Sequence, residues 1–283
     1  MFVFESEARL DDVMEKYLVL GGQGFIGTAL VNFLRKNGHA ADSIDFKLNP
    51  KNDLKTLKIE NLDKYDGCFF LAWNVGGSKY LGKRETWRDQ FSENISLMHN
   101  IFPQLAKSGI PFLFVSSQLA GSDDSPYSLT KLLGENYAQT FQNAVVARQW
   151  NAYGSIETKD LKSHVISDMI LQAVSDKRIR LLTDGVELRK FIHLEDICRA
   201  YLILIKNHLG GVFDVSAGDF ISILEVAQMI ARETDAKVIP GIAIGNNPRF
   251  ASSPKIPNWE PGISLETGIK DLIMQAARNP IHT

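Results

Sequence analysis

Between Leu18 and Gly27 the chain reads Leu-Val-Leu-Gly-Gly-Gln-Gly-Phe-Ile-Gly: a short apolar strand that runs into a turn with glycines at 21, 24 and 27. A helix is predicted to follow, from Gly27 to Lys36, with apolar residues at Leu30, Val31 and Leu34. In such a strand-to-helix turn each glycine has its own job. The first permits the tight turn, the second lets backbone approach a pyrophosphate, and the third packs helix against strand. The helix N-terminus adds bare N–H groups and a partial positive charge. Ser43-Ile44-Asp45 ends the next predicted strand, which places Asp45 18 residues beyond Gly27. A carboxylate there accepts hydrogen bonds from an adenosine ribose and repels a 2′-phosphate, so NAD is expected rather than NADP. Lys47, two residues on, could tolerate a phosphate and tempers that preference. The plainer readings are ordinary turn chemistry for the glycines and a solvated strand-end acid for Asp45.

The rest of the chain extends the same pattern. Tyr17–Leu20, Cys68–Ala72, Phe112–Val115 and Val145–Arg148 read as strands, and Glu93–Ser108 and Ser128–Asn143 as helices between them. Strand-helix alternation implies an α/β fold, a Rossmann-type doubly wound parallel sheet covered on both faces. Residues 17–154 are expected to form this dinucleotide-binding core. Residues 155–283 mix short strands (Arg178–Leu182, Lys190–His193, Val212–Val215) with helices (Val165–Ser175, Leu194–Lys206, Ile223–Glu233). They read mainly as a small substrate-binding lobe with some segments returning to the core. Residues 1–16 alternate Phe2, Phe4, Leu10, Val13 and Met14 with acids, as an amphipathic arm would.

The 283 residues carry a formal charge of −2 and are 45% hydrophobic, which argues against a dedicated nucleic-acid or membrane-surface binder. No apolar run is long enough to span a bilayer, and the acidic N-terminus is unlike a secretory signal, so a cytoplasmic protein is expected. Cys68 and Cys198 fall in a buried strand and a helix and read as reduced, buried thiols. No metal site is expected.

Tyr127 and Lys131 stand four residues apart, on one face if helical. There the ammonium would stabilise a tyrosinate and lower the tyrosine pKa, which suits proton transfer to or from an alcohol during hydride transfer. Alone, the pair is a common surface motif. It gains meaning from Ser116-Ser117, which ends an apolar strand ten residues upstream of Tyr127. With these residues the chain resembles the extended short-chain dehydrogenase/reductases, the nucleotide-sugar epimerases, dehydratases and reductases, from about Tyr17 to Leu272.

Several segments carry the resemblance. Gly21 to Gly27, including Phe25 and Ile26, is similar to the family's cofactor turn. Asp53-Leu54 resembles its adenine-contacting pair, and Leu71-Ala72-Trp73 the strand end beneath the cofactor. Asn94 resembles the Asn that opens the next helix. Phe114 to Ser117 resembles the catalytic-hydroxyl strand, Pro126 to Lys131 the P-Y-x-x-S-K segment, and Arg148 to Gly154 the R-x-x-N-x-Y-G segment. Arg189 to Asp196 is similar to R-D-F-I-H-V-x-D. The resemblance implies Ser117, Tyr127 and Lys131 as catalytic residues, with Tyr127 and Lys131 also touching the cofactor. It implies Ser117, Asn151 and Arg189 against a nucleotide-sugar, with Arg189 on the diphosphate. It also implies a homodimer packed through the two long helices. An ion pair with Glu187 or Asp184 is the plainer reading of Arg189.

The pattern departs in places. Gln118 and Leu119 stand where the family's dehydratases carry an Asp-Glu pair, and an amide and an alkyl chain cannot serve as acid and base, so 4,6-dehydration is not expected. Leu119 also replaces the catalytic Cys of the GDP-fucose synthases. Yet Val75-Gly76-Gly77 and Ser163-His164-Val165-Ile166 resemble that subgroup, and His164 falls near its functional His. Lys190 replaces the usual Asp. The expected chemistry is NAD-dependent oxidation or reduction at C4 of a nucleotide-sugar. A dehydrogenase or reductase of a non-nucleotide substrate and a non-catalytic dinucleotide-sensing scaffold are the rivals.

Overall fold

The computed structural model describes residues 14–278 apart from 76–77, 82, 157–163, 248 and 251. The expected arm over residues 1–13, the Gly76-Gly77 pair and Ser163 lie outside the described residues. In chain order the strands are β1 (Lys16–Leu20), β2 (Ala40–Ile44), β3 (Gly67–Phe70), β4 (Phe112–Ser117), β5 (Ala144–Gln149), β6 (Asn151–Tyr153), β7 (Arg178–Arg180), β8 (Leu188–Arg189), β9 (Phe191–His193), β10 (Gly211–Val215), β11 (Ile221–Ser222) and β12 (Lys237–Ile239). The helices are α1 (Phe25–Lys36), α2 (Ser78–Leu81), α3 (Trp87–Ser108), α4 (Pro126–Ala138), α5 (Val165–Asp176), α6 (Leu194–Lys206), α7 (Ile223–Thr234) and α8 (Leu265–Arg278).

Six strands form one parallel sheet in the order β2-β1-β3-β4-β5-β10. From β1 the chain adds β2 on one side and then returns to add β3 on the other. At that reversal a crevice opens outside the carboxyl ends of β1 and β3, the usual ligand position in such sheets. Strand residues alternate between two cores because side chains alternate along a strand. Tyr17 and Val19 face α1 and α6, where Leu30, Leu34, Ile197, Tyr201 and Leu204 are buried. Leu18 and Leu20 face Leu97, Ile101 and Phe102 of α3, together with Phe70, Phe112 and Phe114. Each of these fully buried aromatic side chains contributes roughly 2–3 kcal/mol through its removal from water. A third core joins α5, α7 and α8 through Ile170, Ile230 and Leu272. Both thiols are free and buried, and burial pushes Cys198 up to about 12.

Several boundaries differ from the sequence reading. Helix α3 starts at Trp87 rather than Glu93, and α4 ends at Ala138 rather than Asn143. Asn143 instead donates from Nδ2 to the carbonyls of Leu105 (3.2 Å) and Ile110 (2.6 Å), which ties the end of α3 to the entry of β5. The expected strand ending at Ala72 stops at Phe70, although the N–H groups of Leu71 and Ala72 still reach the Leu20 carbonyl. The expected Lys190–His193 strand is β9, which starts one residue later, and a separate strand, β8, precedes Lys190. Strand β10, from the second half of the chain, completes the central sheet beside β5.

Candidate active site

The turn between β1 and α1 requires glycine at 21 and 27. Gly21 has φ +89°, and a Cβ there would lie 2.7 Å from the Ala72 nitrogen. A Cβ on Gly27 would lie 2.2 Å from the Gly21 oxygen, so α1 could not sit this close to the turn with any other residue. Gly24 is the N-cap of α1 and offers no side-chain cap, which leaves the first turn of Phe25, Ile26 and Gly27 facing the crevice without a capping oxygen. Asp45 lies one residue past β2. It accepts the Gln23 N–H at 2.9 Å and the Lys47 N–H at 3.0 Å. At 7% exposure it is a fixed part of the turn and not a solvated strand-end acid.

Asp53 and Leu54 are placed differently. Asp53 accepts the Lys55 N–H at 3.0 Å and faces the Lys55 ammonium at 3.7 Å. Leu54 is buried in the α3 core, and its carbonyl accepts Asn100 Nδ2 at 2.8 Å. Asn94 is also buried. Its side chain bonds the Asn74 N–H (2.7 Å) and the Asn74 carbonyl (3.2 Å), so it fixes the segment that follows Trp73.

Ser117, Tyr127 and Lys131 come together at the carboxyl end of β4. Helix α4 begins with Pro126 at its first position, and the Ser125 hydroxyl caps it by accepting the Ser128 N–H at 3.2 Å. Tyr127 thereby sits in the first turn, near enough to Ser117 for that side chain to oppose the effect of burial on its pKa. The Ser117 hydroxyl also donates to Gln118 Oε1 (3.0 Å) and accepts the Leu119 N–H (3.1 Å), so Gln118 orients it. Lys131 is buried. Its ammonium donates to the Val115 carbonyl at 2.6 Å, 4.2 Å from the Trp73 ring centroid and 5.9 Å from that of Tyr127. Burial brings Lys131 down to about 7, against the pull of Glu135. The expected lowering of the tyrosine pKa by the lysine is not what this geometry gives. Burial pushes Tyr127 up, and Ser117 is what opposes it.

The residues expected to meet substrate form two groups. His164 is the N-cap residue of α5 and stacks on Phe25 with centroids 4.1 Å apart, beside the first residue of α1. Asn151 and Arg189 meet elsewhere, around Lys190. Asn151 Nδ2 donates to the Lys190 carbonyl at 3.1 Å. The Arg189 guanidinium donates to the Leu188 carbonyl (2.8 Å) and the Asn246 carbonyl (3.4 Å), and it lies 5.9 Å from the Phe250 ring. The alternative ion pair with Glu187 does not form, because both Glu187 oxygens accept the Thr183 hydroxyl at 2.7 and 2.9 Å.

Sequence reasoning missed some of the surroundings. Glu135, one turn beyond Lys131, is buried and accepts the Arg148 fork at 2.9 and 2.6 Å and the Ser116 hydroxyl at 2.6 Å. Lys190 lies 5.4 Å from the Trp150 centroid and 5.2 Å from that of Phe220. Neither grouping has a local signal, since each joins residues far apart in the chain. Among the described residues no cluster of three His, Cys, Asp or Glu could hold a metal ion, and no helix is long and apolar enough to cross a membrane.

Comparison with known proteins agrees with this geometry. The UDP-glucuronate 4-epimerase of Thermodesulfobacterium geofontis (strain OPF15) is 26% identical over 94% of this chain and 97% of its own length. The putative UDP-glucose 4-epimerase of Methanocaldococcus jannaschii is 24% identical over 90% of this chain and 96% of its own. Among solved structures, the NAD-dependent NDP-hexosamine 5,6-dehydratase TunA of tunicamycin biosynthesis superposes with a TM-score of 0.81. It is 18% identical and covers 94% of this chain and 99% of its own, a likeness of fold. The UDP-glucose 4-epimerase of Thermotoga maritima, at 20% identity and TM-score 0.72 over 93% and 99% of the two chains, has the same fold. The model of the NAD dependent epimerase/dehydratase family matches residues 17–216, from the first strand of the sheet to just past its last, and the chain belongs to that family.

Proposed function

We propose that this enzyme oxidises or reduces C4 of a nucleotide-sugar, with Ser117, Tyr127 and Lys131 as its catalytic residues. The observation that carries the reading is the gathering of Ser117, at the end of β4, with Tyr127 and the buried Lys131, whose ammonium is held on the Val115 carbonyl, one helical turn apart on α4. The crevice fits NAD. Its glycine cradle has no room for a Cβ at 21 or 27, its helix end is uncapped, and Asp45, just past β2, would accept the ribose hydroxyls. Bound NAD supplies the hydride acceptor and donor.

The chain's own groups handle the proton. Tyr127, as the tyrosinate, takes the proton from the sugar hydroxyl on Oη during oxidation and, as the phenol, returns it during reduction. Ser117 turns its hydroxyl from Gln118 Oε1 to donate a hydrogen bond to the same sugar oxygen. The Lys131 ammonium would hold the nicotinamide ribose. Arg189 offers its planar fork to the diphosphate. Gln118 and Leu119 supply no acid-base pair beside Ser117, which favours epimerisation or simple redox over 4,6-dehydration. Phe91, Leu129 and Leu133, exposed on α3 and α4, support a homodimer through those helices.

The test is a screen of nucleotide-sugars by mass spectrometry and absorbance in the NADH band, with Tyr127→Phe as control. Turnover abolished in the variant supports the reading. Tight dinucleotide binding with no turnover, and no effect of Tyr127→Phe, would favour a sensing scaffold.

A further inference from the structure

The sheet is parallel, so the carboxyl ends of β5 and β10 open on the same side as the glycine turn. Three rings gather there. Trp150 follows β5 directly, Phe220 comes from the loop after β10, and Phe250 comes from the segment between β12 and α8. The Trp150 and Phe250 centroids are 4.7 Å apart, Trp150 and Phe220 5.4 Å, and Phe220 and Phe250 5.9 Å. Trp150 is 6% exposed and Phe220 47%, so the cluster is rooted in the core and open at its outer face. Two cations rest on it. The Arg189 guanidinium lies 5.9 Å from the Phe250 ring, and the Lys190 ammonium 5.4 Å from Trp150 and 5.2 Å from Phe220. The backbone at Lys190 is fixed as well, since its carbonyl accepts both the Asn151 N–H (3.3 Å) and Asn151 Nδ2 (3.1 Å).

Nothing among the described residues neutralises this pair. The Lys190 ammonium forms no ion pair there and donates no hydrogen bond, and Arg189 donates only to carbonyls. Asp214 reaches the same indole, but it accepts Trp150 Nε1 and the Ser216 hydroxyl, the latter at 2.6 Å. Glu187 is held by the Thr183 hydroxyl. Ring faces attract a cation without accepting its three N–H donors in the plane where an oxygen would. Like charges on neighbouring residues also repel each other. A lysine free in solvent would have a neutral history at such a place. This one stands where the resembling segment carries Asp, so a charge has been reversed directly beside the Arg189 fork. Its stem is laid on two rings, which aims the ammonium and limits the freedom it loses on meeting a ligand.

We infer that Lys190 is a second oxyanion-binding residue of the substrate site, taking a negatively charged group that Arg189 does not. The inference rests on the nucleotide-sugar reading and narrows it to substrates with two separate oxyanions. A sugar joined through a nucleoside diphosphate has them, whereas one joined through a monophosphate and bearing no acid has a single one. The planar Arg189 fork fits one phosphate through two parallel hydrogen bonds, and the compact Lys190 ammonium suits an oxyanion beside it. Two groups supply that chemistry: the second phosphate of the diphosphate, or a carboxylate on the sugar. The competing role, in which Lys190 only covers Trp150, predicts that its charge matters equally for every ligand.

Isothermal titration of the whole protein, saturated with NAD, tests it. The nucleoside diphosphates of uracil, thymine, guanine and cytosine first identify the base that binds. Its monophosphate, diphosphate, hexose ester and uronic acid ester are then compared in the wild type, Lys190→Met, Lys190→Gln and Lys190→Arg. Both neutral variants should weaken the diphosphate about tenfold and the monophosphate less than about twofold. Lys190→Arg should restore the diphosphate to within about threefold, and the difference should shrink at high salt. A loss that appears only with the uronic acid ester assigns the oxyanion to the sugar carboxylate instead of the second phosphate. Thermal unfolding at the wild-type midpoint shows that a variant is folded, and the two neutral variants guard against one that is not. The inference is overturned if the neutral variants bind all four ligands as the wild type does. It is equally overturned if they weaken all four alike, or if Lys190→Arg fails to rescue. If no nucleoside diphosphate binds the wild type, the nucleotide-sugar reading falls and takes the inference with it. Binding that ignores Lys190 sinks the inference alone.

Discussion

Two buried ionic groups sit one turn apart on α4, and the fold treats them in opposite ways. Glu135 is saturated: two Arg148 nitrogens and the Ser116 hydroxyl occupy its oxygens. Lys131 has a single carbonyl and the face of an indole, and burial brings it to about 7. A satisfied buried pair locks neighbouring elements, here α4 to β4 and β5. A cation left short of partners costs stability and stays available for chemistry. The contrast separates the scaffold of the site from its working part, although the two lie on the same helix face.

Removing the acid/base of the site has the largest expected effect. Tyr127→Phe should lower kcat/KM about 10³-fold on a nucleotide-sugar substrate, with thermal unfolding unchanged. Loss of activity together with a lower Tm would move Tyr127 to the scaffold side of the comparison. Glu135→Ala should cost about 3–5 kcal/mol by stranding the Arg148 charge, seen as a reduced midpoint in urea. A small change there would mean that solvent reaches Arg148 and that the pair locks nothing. Ser117→Ala should cut kcat about 10²-fold and leave NADH affinity unchanged, which measured binding would check.

Lys131→Met should abolish most activity yet unfold at the same temperature or higher, because a buried charge is exchanged for a methyl-capped chain of similar length. The sign of its pH dependence follows from the lowered value. An unfolded lysine holds its proton to about pH 10, whereas the folded one releases it near 7. Between those values the unfolded chain binds more protons, so stability rises with pH across that window. Lys131→Met should remove that slope in Tm measured against pH, the smallest of these effects and the most specific.

Parts of this arrangement were legible in the sequence and parts were not. The β1–turn–α1 unit and α6 were readable because glycine spacing and apolar periodicity are local, and α6 spans Leu194–Lys206 as the pattern predicts. The ends of α3 and α4 were not. Asn143 leaves the helical register to serve carbonyls more than thirty residues away, which no local propensity records. Ser117, Tyr127 and Lys131 could be placed by motif, but the direction of the Tyr127 shift could not. It depends on how deeply α4 seats against β4, and the glycine at 134, whose Cβ would lie 2.7 Å from the Phe114 ring, sets that depth. Glu135 read as an ordinary helix acid because its partners, Ser116 and Arg148, arrive from two other strands.

Trp73 adds an optical consequence to its place beside Lys131. The chain has four tryptophans, and this one follows the strand end that borders the crevice. Indole emission overlaps the absorption of reduced nicotinamide, so light taken up by Trp73 can pass to a reduced dinucleotide in the crevice and leave the indole dim. Binding of reduced dinucleotide is therefore expected to dim the emission of Trp73, and Trp73→Phe is the blank against which that quenching can be measured.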